Sequence, residues 1–300
     1  MSDIPLQGNT SRFDYQSFDA HSHRLYVAHL GDGTATVYDP SSGTVVGEIN
    51  GVPGVHGLIA VPELGRVYAT ATDRNQVAVI DANSLAVIAT TDGGDYPDGL
   101  AYDPEVGKIY VSDEHGGTDT VIDAQTNLAI GSVQVGDDVG NSQFDPLSHR
   151  ILVAVGSKNQ LVAIDPATDK VVGATDVPGC QGAHGVAIDG DAQRVFVACE
   201  GNAKLVALDM QSMQVVFTGD VGKTPDVLAL DPGQQRLYVA AESGPLTVFD
   251  YAGGNVRQLL QADAGPSAHS VAVDPETHHI YLPLQNVNGH PVLREMVIEP

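Results

Sequence analysis

The sequence predicts an all-β fold, a seven-bladed β-propeller whose ring is closed by the N-terminal strand completing the last blade. Three observations predict it: a composition suited to short strands and tight turns, a unit of about 42 residues that recurs seven times, and the phase of that unit at the two chain ends.

The composition comes first. Among 300 residues there are 33 glycines and 17 prolines, with no tryptophan and few apolar stripes of helical period, which points to many strands joined by turns. A chain of this length can hold two domains, but all-β chains of this size are often one, and residues 1–300 read as one domain. The charge is lopsided, with 38 Asp and Glu against 14 Lys and Arg for a formal net charge of −24. Such a field repels phosphate backbones and argues against nucleic acid as a partner, while it suits cations, metal ions or neutral small molecules. No run of apolar residues is long enough to span a bilayer.

The recurring unit is a polar residue, a short apolar stretch that often ends in Asp-Pro, a four-residue loop, and then basic-apolar-aromatic-Val. A second apolar strand ending in Asp follows, and then a more variable strand. The clearest copies are Asp98–Pro104 with Lys108–Ser112 and Val121–Asp123, and Asp226–Pro232 with Arg236–Ala240 and Thr247–Asp250; His184–Asp189 with Arg194–Ala198 and Leu205–Asp209 is a third. Aligned on the residue that opens the first strand, the copies begin at Asp14, His56, Asp98, Gly140, His184, Asp226 and His269. Each copy has room for four strands, which is the content of a propeller blade. The seventh copy runs out at Val297–Pro300, which aligns with Val37–Pro40 at the end of a third strand, so its fourth strand is missing. Ile4–Gly8 align with Val46–Asn50, a fourth strand. The N-terminus is therefore expected to supply the outer strand of the last blade and remove the free edges of an open array.

The residues carrying this pattern, such as Arg24–Ala28, Ile109–Val111 and Arg236–Ala240, resemble the YVTN-repeat propellers of the YncE-like family over essentially the whole chain. The resemblance implies a bacterial or archaeal protein, often exported, hence periplasmic or secreted, although Met1–Gly8 show no positive region and apolar core of a signal peptide. It says little about activity: some members are described as lactonase-like, others have no assigned activity, and one is associated with single-stranded DNA, which the charge of this chain disfavours.

In a propeller the first strands line the central channel, and the loops between second and third strands lie on the face where those first strands enter. Two sets of positions therefore converge on one mouth. One is the ring of opening residues above; the other ends each second strand, at Leu30, Thr72, Glu114, Gly156, Glu200, Glu242 and Gln285. His56, His184 and His269, from blades spread around the ring, can approach a zinc, iron, copper or manganese ion from three directions. The arrangement looks like that of carotenoid-cleaving oxygenases, an analogy of architecture. Asp14, Asp98, Asp226, His29 and Asn141 then serve as supporting or ligand-binding groups, and Glu114, Glu200 or Glu242 as general base. The plainer alternative is a ring of Asp–His hydrogen bonds that satisfies buried polar groups.

Blade 4 breaks the pattern, with Gly140 and Gly156 at the two rings, where missing side chains would open a pocket beside Asn141, Ser142 and Gln143. Cys180 and Cys199 both fall near the mouth, either bonded to each other or reduced. His21, His23, His149, His278 and His279 read as solvated turn residues of the opposite face. The basic residues Arg24, Arg66, Lys108, Arg150, Arg194 and Arg236 are expected to pair with the aspartates of the repeat. No G-x-S-x-G, P-loop, EF-hand or dinucleotide fingerprint is present. Three function classes stand open: a metal-dependent enzyme of lactone hydrolase, lyase or oxygenase type, a non-catalytic binder of a small ligand or ion, and a protein-docking scaffold. The chain reads as a monomer with a small-molecule partner.

Overall fold

The structure is a computed structural model and describes residues 1–265 and 267–298. It contains seven antiparallel sheets of four strands each, arranged as the blades of a ring. Blade 1 is representative, with strands Gln16–Asp19, Arg24–His29, Thr34–Asp39 and Thr44–Asn50 from the channel outward. Among the described residues there is no α-helix, only short 3₁₀ turns, so no helix is long and apolar enough to cross a membrane.

The second strand of each blade is buried on both faces, as Leu25, Tyr26, Val27 and Ala28 show, because each blade is sandwiched between two others. The core follows from that stacking. Its seven apolar clusters each span two adjacent blades, for example Tyr68, Val77 and Val79 of blade 2 against Ile109, Val111 and Ile122 of blade 3. The outer strands alternate between exposed and half-buried residues, since only one side meets the ring.

Ring closure is as expected in kind. Ser2–Pro5 pairs antiparallel with His290–Met296 and completes the sheet begun by Ala272–Val273 and Ile280–Val287. The register differs. The outer strand lies at Ser2–Pro5 rather than Ile4–Gly8, and the third strand ends at Met296 rather than within Val297–Pro300; of that last segment, Glu299 and Pro300 lie outside the described residues. The cause is the last hairpin, in which Tyr281 faces Glu295 where Tyr26 of blade 1 faces Val37. Its second strand runs on to Val287 and turns through Asn288 and Gly289, both with positive φ, so the chain ends slide relative to blade 1.

Two expectations about repeated side chains are corrected. Arg24, Arg66 and Arg236 do not pair with aspartates; they donate to the carbonyls of Ala82 (2.8 Å), Ala124 (2.5 Å) and Ile298 (2.6 Å). Each basic side chain starts a second strand and spans the gap to the next blade, where the third strand has just ended and its carbonyls have no ladder partner. Lys108, Arg150 and Arg194 do reach carboxylates, those of Asp169, Asp165 and Asp209. Four of the five loop histidines are also engaged, while His21 is exposed as expected. His23 meets the buried Asp274 at 3.0 Å and His278 the buried Asp231 at 2.8 Å, both across blade boundaries. His149 pairs with Glu105 and His279 with Glu295.

Candidate functional site

Five of the seven residues that open the inner strands, Asp14, His56, Asp98, His184 and Asp226, line one mouth of the channel. In blades 3 to 6 the opening residue sits in a β-bulge, as between Pro97 and Leu100 or between Ala183 and Val186. In blades 1, 2 and 7, Asp14, His56 and His269 precede the assigned strand. The mouth is a depression of about 230 Å³ lined by Asp14, His56, Asp98, His184 and Asp226, with Glu114, Glu200 and Glu242 at its rim. Arg12, Tyr15 and Tyr96 complete the wall.

The three histidines do not meet at the axis. Each one turns toward the neighbouring blade. His184 places Nε2 3.5 Å from Asp226 Oδ1 and 4.0 Å from Glu200 Oε1. His269 places Nε2 3.5 Å from Asp14 Oδ1, with both groups almost fully buried. His56 has both ring nitrogens occupied: Nδ1 lies 2.8 Å from the Gly54 carbonyl and 2.9 Å from Thr72 Oγ1, and Nε2 lies 3.0 Å from the Tyr96 hydroxyl. With Nδ1–H donating to Gly54, Nε2 accepts from Tyr96. Two sets of three ligand-capable atoms lie within 4.8 Å of one another among the described residues, His184–Glu200–Asp226 and Asp14–Asp226–His269, and neither contains two histidines.

The electrostatics follow from crowding acids in a buried mouth. Burial, then the charge of Asp14, pushes the Asp98 carboxyl well up. Burial also raises Asp226 and Glu200 against the pull of His184. Burial alone would lower His184, but the carboxylates of Asp226, Glu200, Asp98 and Glu114 outweigh it and hold the imidazole up to about 9. Asp14 is the exception: burial pushes it up, yet His269 and Arg12 together hold it below the usual range. Arg12 bridges Asp14 at 3.4 Å and Glu242 at 3.2 Å. Burial and crowding thus favour the protonated forms of Asp98, Asp226, Glu200 and His184.

Other expected residues lie elsewhere. His29 is buried outside the mouth, stacked on Phe13 with ring centroids 4.0 Å apart and 3.0 Å from Ser11 Oγ, and it anchors the N-terminal segment. Asn141 lies one layer below, bonded to Tyr15. Asn141, Ser142 and Gln143 do line a cavity, but Gly140 and Gly156 do not open it. A side chain at residue 140 would meet the His184 backbone at 2.6 Å, so that glycine permits close packing of blades 4 and 5, while Asp138 occupies the space beside Gly156. Cys180 and Cys199 are disulfide-bonded, tying the loop before the innermost strand of blade 5 to the end of its second strand, directly beside Glu200.

Tyr15 was not anticipated. Its hydroxyl donates to Asn141 Oδ1 at 2.7 Å and lies 3.3 Å from Asp226 Oδ1 and 3.5 Å from Asp98 Oδ2. It thereby reaches from blade 1 to blades 3, 4 and 6 and forms a floor beneath the mouth. The signal was present in the internal alignment: the residue after the opening position is Gly57, Gly99 and Gly185 in three blades and Tyr15 in the first. Arg12, two residues before Asp14, has no counterpart in the repeat unit.

Comparison with known proteins supports the architecture. A family model described as "Outer membrane protein assembly factor BamB" matches residues 157–286, less than half of the chain. No curated protein matches. Among solved structures, a chain of Kuenenia stuttgartiensis hydrazine synthase superposes with a TM-score of 0.81 at 17% identity, covering 95% of each chain. A chain from a crystal structure of the mitotic checkpoint complex also gives 0.81, at 12% identity, covering 99% of this chain and 91% of the other. At such identities the likeness concerns the fold, which hosts unrelated roles.

Proposed function

We propose that the mouth is a binding site for a divalent first-row transition metal, held by His184, Glu200 and Asp226. The observation that carries this reading is the convergence of one imidazole nitrogen with two carboxylate oxygens, at 3.5 and 4.0 Å, in a recess whose acids are pushed toward their protonated forms. Ligand atoms about 2.0–2.2 Å from a tetrahedral ion are themselves about 3.3–3.6 Å apart, so small side-chain adjustments close the site. A mixed imidazole and carboxylate set suits zinc, iron or manganese better than copper. The second set is the poorer candidate, because Arg12 already neutralises Asp14.

When bound, the ion would supply Lewis acidity toward a carbonyl or a water. Glu242 is engaged by Arg12, which leaves Glu114 as the rim carboxylate able to accept a proton. This supports a metal-binding propeller first, and a hydrolase, lyase or oxygenase acting on a small molecule second. A single propeller over residues 1–300, a monomeric state and kinship with YVTN-repeat propellers are part of the same proposal, supported by the repeat. The Cys180–Cys199 pair supports an oxidising, extracytoplasmic setting.

The test is metal content by plasma mass spectrometry after reconstitution with zinc, iron, manganese and copper. Near-stoichiometric metal in the wild type and in His56→Ala, lost in a Glu200→Gln/Asp226→Asn variant, is the expected result. Metal absent from the wild type, or retained by the double variant, sinks the assignment.

A further inference from the structure

The Tyr15 floor divides the channel into two chambers of different chemistry. Above it, the mouth is lined by six carboxylates, two histidines and Arg12. Below it lies a chamber of about 300 Å³ that opens toward the other face and is lined by residues of all seven blades, none of them charged. Leu58, Val186, Leu228, Leu230 and Val271 contribute aliphatic side chains to a surface that is otherwise mostly polar. Blade 4 contributes the polar side through Asn141 and Gln143.

Asn141 is only 7% exposed. Because the Tyr15 hydroxyl donates to it, the amide is oriented with Oδ1 toward Tyr15 and Nδ2 turned away. Nδ2 has no hydrogen-bond partner among the described residues. The donor is accessible from the chamber, so an acceptor placed there can meet it. The chamber that Asn141 lines is the space from which a partner can come.

We propose that the lower chamber is a second binding site, for a small uncharged molecule that offers a hydrogen-bond acceptor to Asn141 Nδ2 and an apolar face to those aliphatic side chains. A charged ligand is disfavoured because the chamber has no counter-ion to offset its desolvation. The volume, at the lower end of ligand pockets, limits the molecule to about one ring with its substituents. The site is independent of any metal at the mouth.

The test uses cyclohexanone as the probe, with cyclohexanecarboxylate and cyclohexylammonium as charged controls of similar shape, followed by saturation-transfer NMR titration. Asn141→Leu removes the donor at similar size, and Gln143→Trp fills the chamber from its lining; circular dichroism confirms that each variant is folded. The expected result is saturable cyclohexanone binding to the wild type, weakened about fivefold by Asn141→Leu, abolished by Gln143→Trp, and absent for both ions. No saturable binding to the wild type, equal binding by a charged control, or unchanged affinity in a folded Gln143→Trp variant overturns the proposal.

Discussion

Replacing Asp119 with asparagine should stabilise this protein, and by an amount that depends on pH. Asp119 lies in the third strand of blade 3, Thr118–Asp123, with no solvent exposure. One oxygen accepts from Ser142 Oγ at 2.7 Å, Ser142 in turn lies 2.9 Å from Ser112, and the other oxygen has no partner. Burial pushes the carboxyl up to about 7; the Ser142 bond opposes this and the nearby Asp113 adds to it. In the unfolded chain the group titrates near 3.8. The folded state therefore binds the extra proton between those values, so the contribution of Asp119 to stability is fully present below about pH 4 and is lost as the pH rises through about 7. A shift of about three units corresponds to about 4 kcal/mol at pH 8. With an unfolding entropy of about 2.1 cal/mol/K per residue, that is about 6 °C in Tm. Asparagine has nearly the same shape and no charge, and its amide can donate to Ser142. Denaturant unfolding of wild type and Asp119→Asn at about pH 5 and about pH 8 should show an advantage for the variant that grows by about 2–3 kcal/mol between them. An advantage of the same size at both pH values, or a variant less stable at pH 8, would refute the reasoning that the buried charge is what costs stability.

Three more outcomes are expected. In metal-free protein, imidazole NMR should show His184 titrating near 9, and Asp226→Asn should move that midpoint down because it removes the largest charge holding the proton; stability contributed by the His184 proton is present below about 6.5 and lost as the pH rises through about 9. Tyr15→Phe removes the donor to Asn141 and should cost about 1–3 kcal/mol in denaturant unfolding, with no change in secondary structure by circular dichroism. Replacing Cys180 and Cys199 by serine opens a crosslink between residues 19 apart and should cost about 2–4 kcal/mol, which a reductant titration of the wild type should reproduce.

Much of the fold was legible before any coordinates. The unbroken apolar run in segments such as Arg24–His29 reflects strands buried between blades, and seven copies with complementary ends leave a closed ring as the arrangement without exposed edges. The mouth was legible in part: Asp14, His56, Asp98, His184 and Asp226 of the opening residues and Glu114, Glu200 and Glu242 of the second-strand ends line one recess. The inter-blade reach of Arg24 and Arg66 was not, because a long side chain can turn either to its own sheet or across the gap, and the repeat pattern is the same in both cases. The slide of the last hairpin was hidden for a related reason, since an insertion in a turn changes register without changing the apolar pattern that an alignment follows.

The sequence by itself determined the number of blades, the element that closes the ring and the repeated positions that carry the carboxylates of the mouth, because these follow from local periodicity repeated along one chain. Only the tertiary structure decided which of those residues touch. Each histidine is turned toward the adjoining blade, His184 within a bulge of its inner strand, so that His184 meets Asp226 and His269 meets Asp14 instead of all three histidines converging on the axis. Tyr15, reaching across from blade 1, then separates an acidic mouth from a neutral chamber. Such contacts join residues distant in sequence, and their distances depend on how the blades tilt and pack, which no periodicity along the chain encodes.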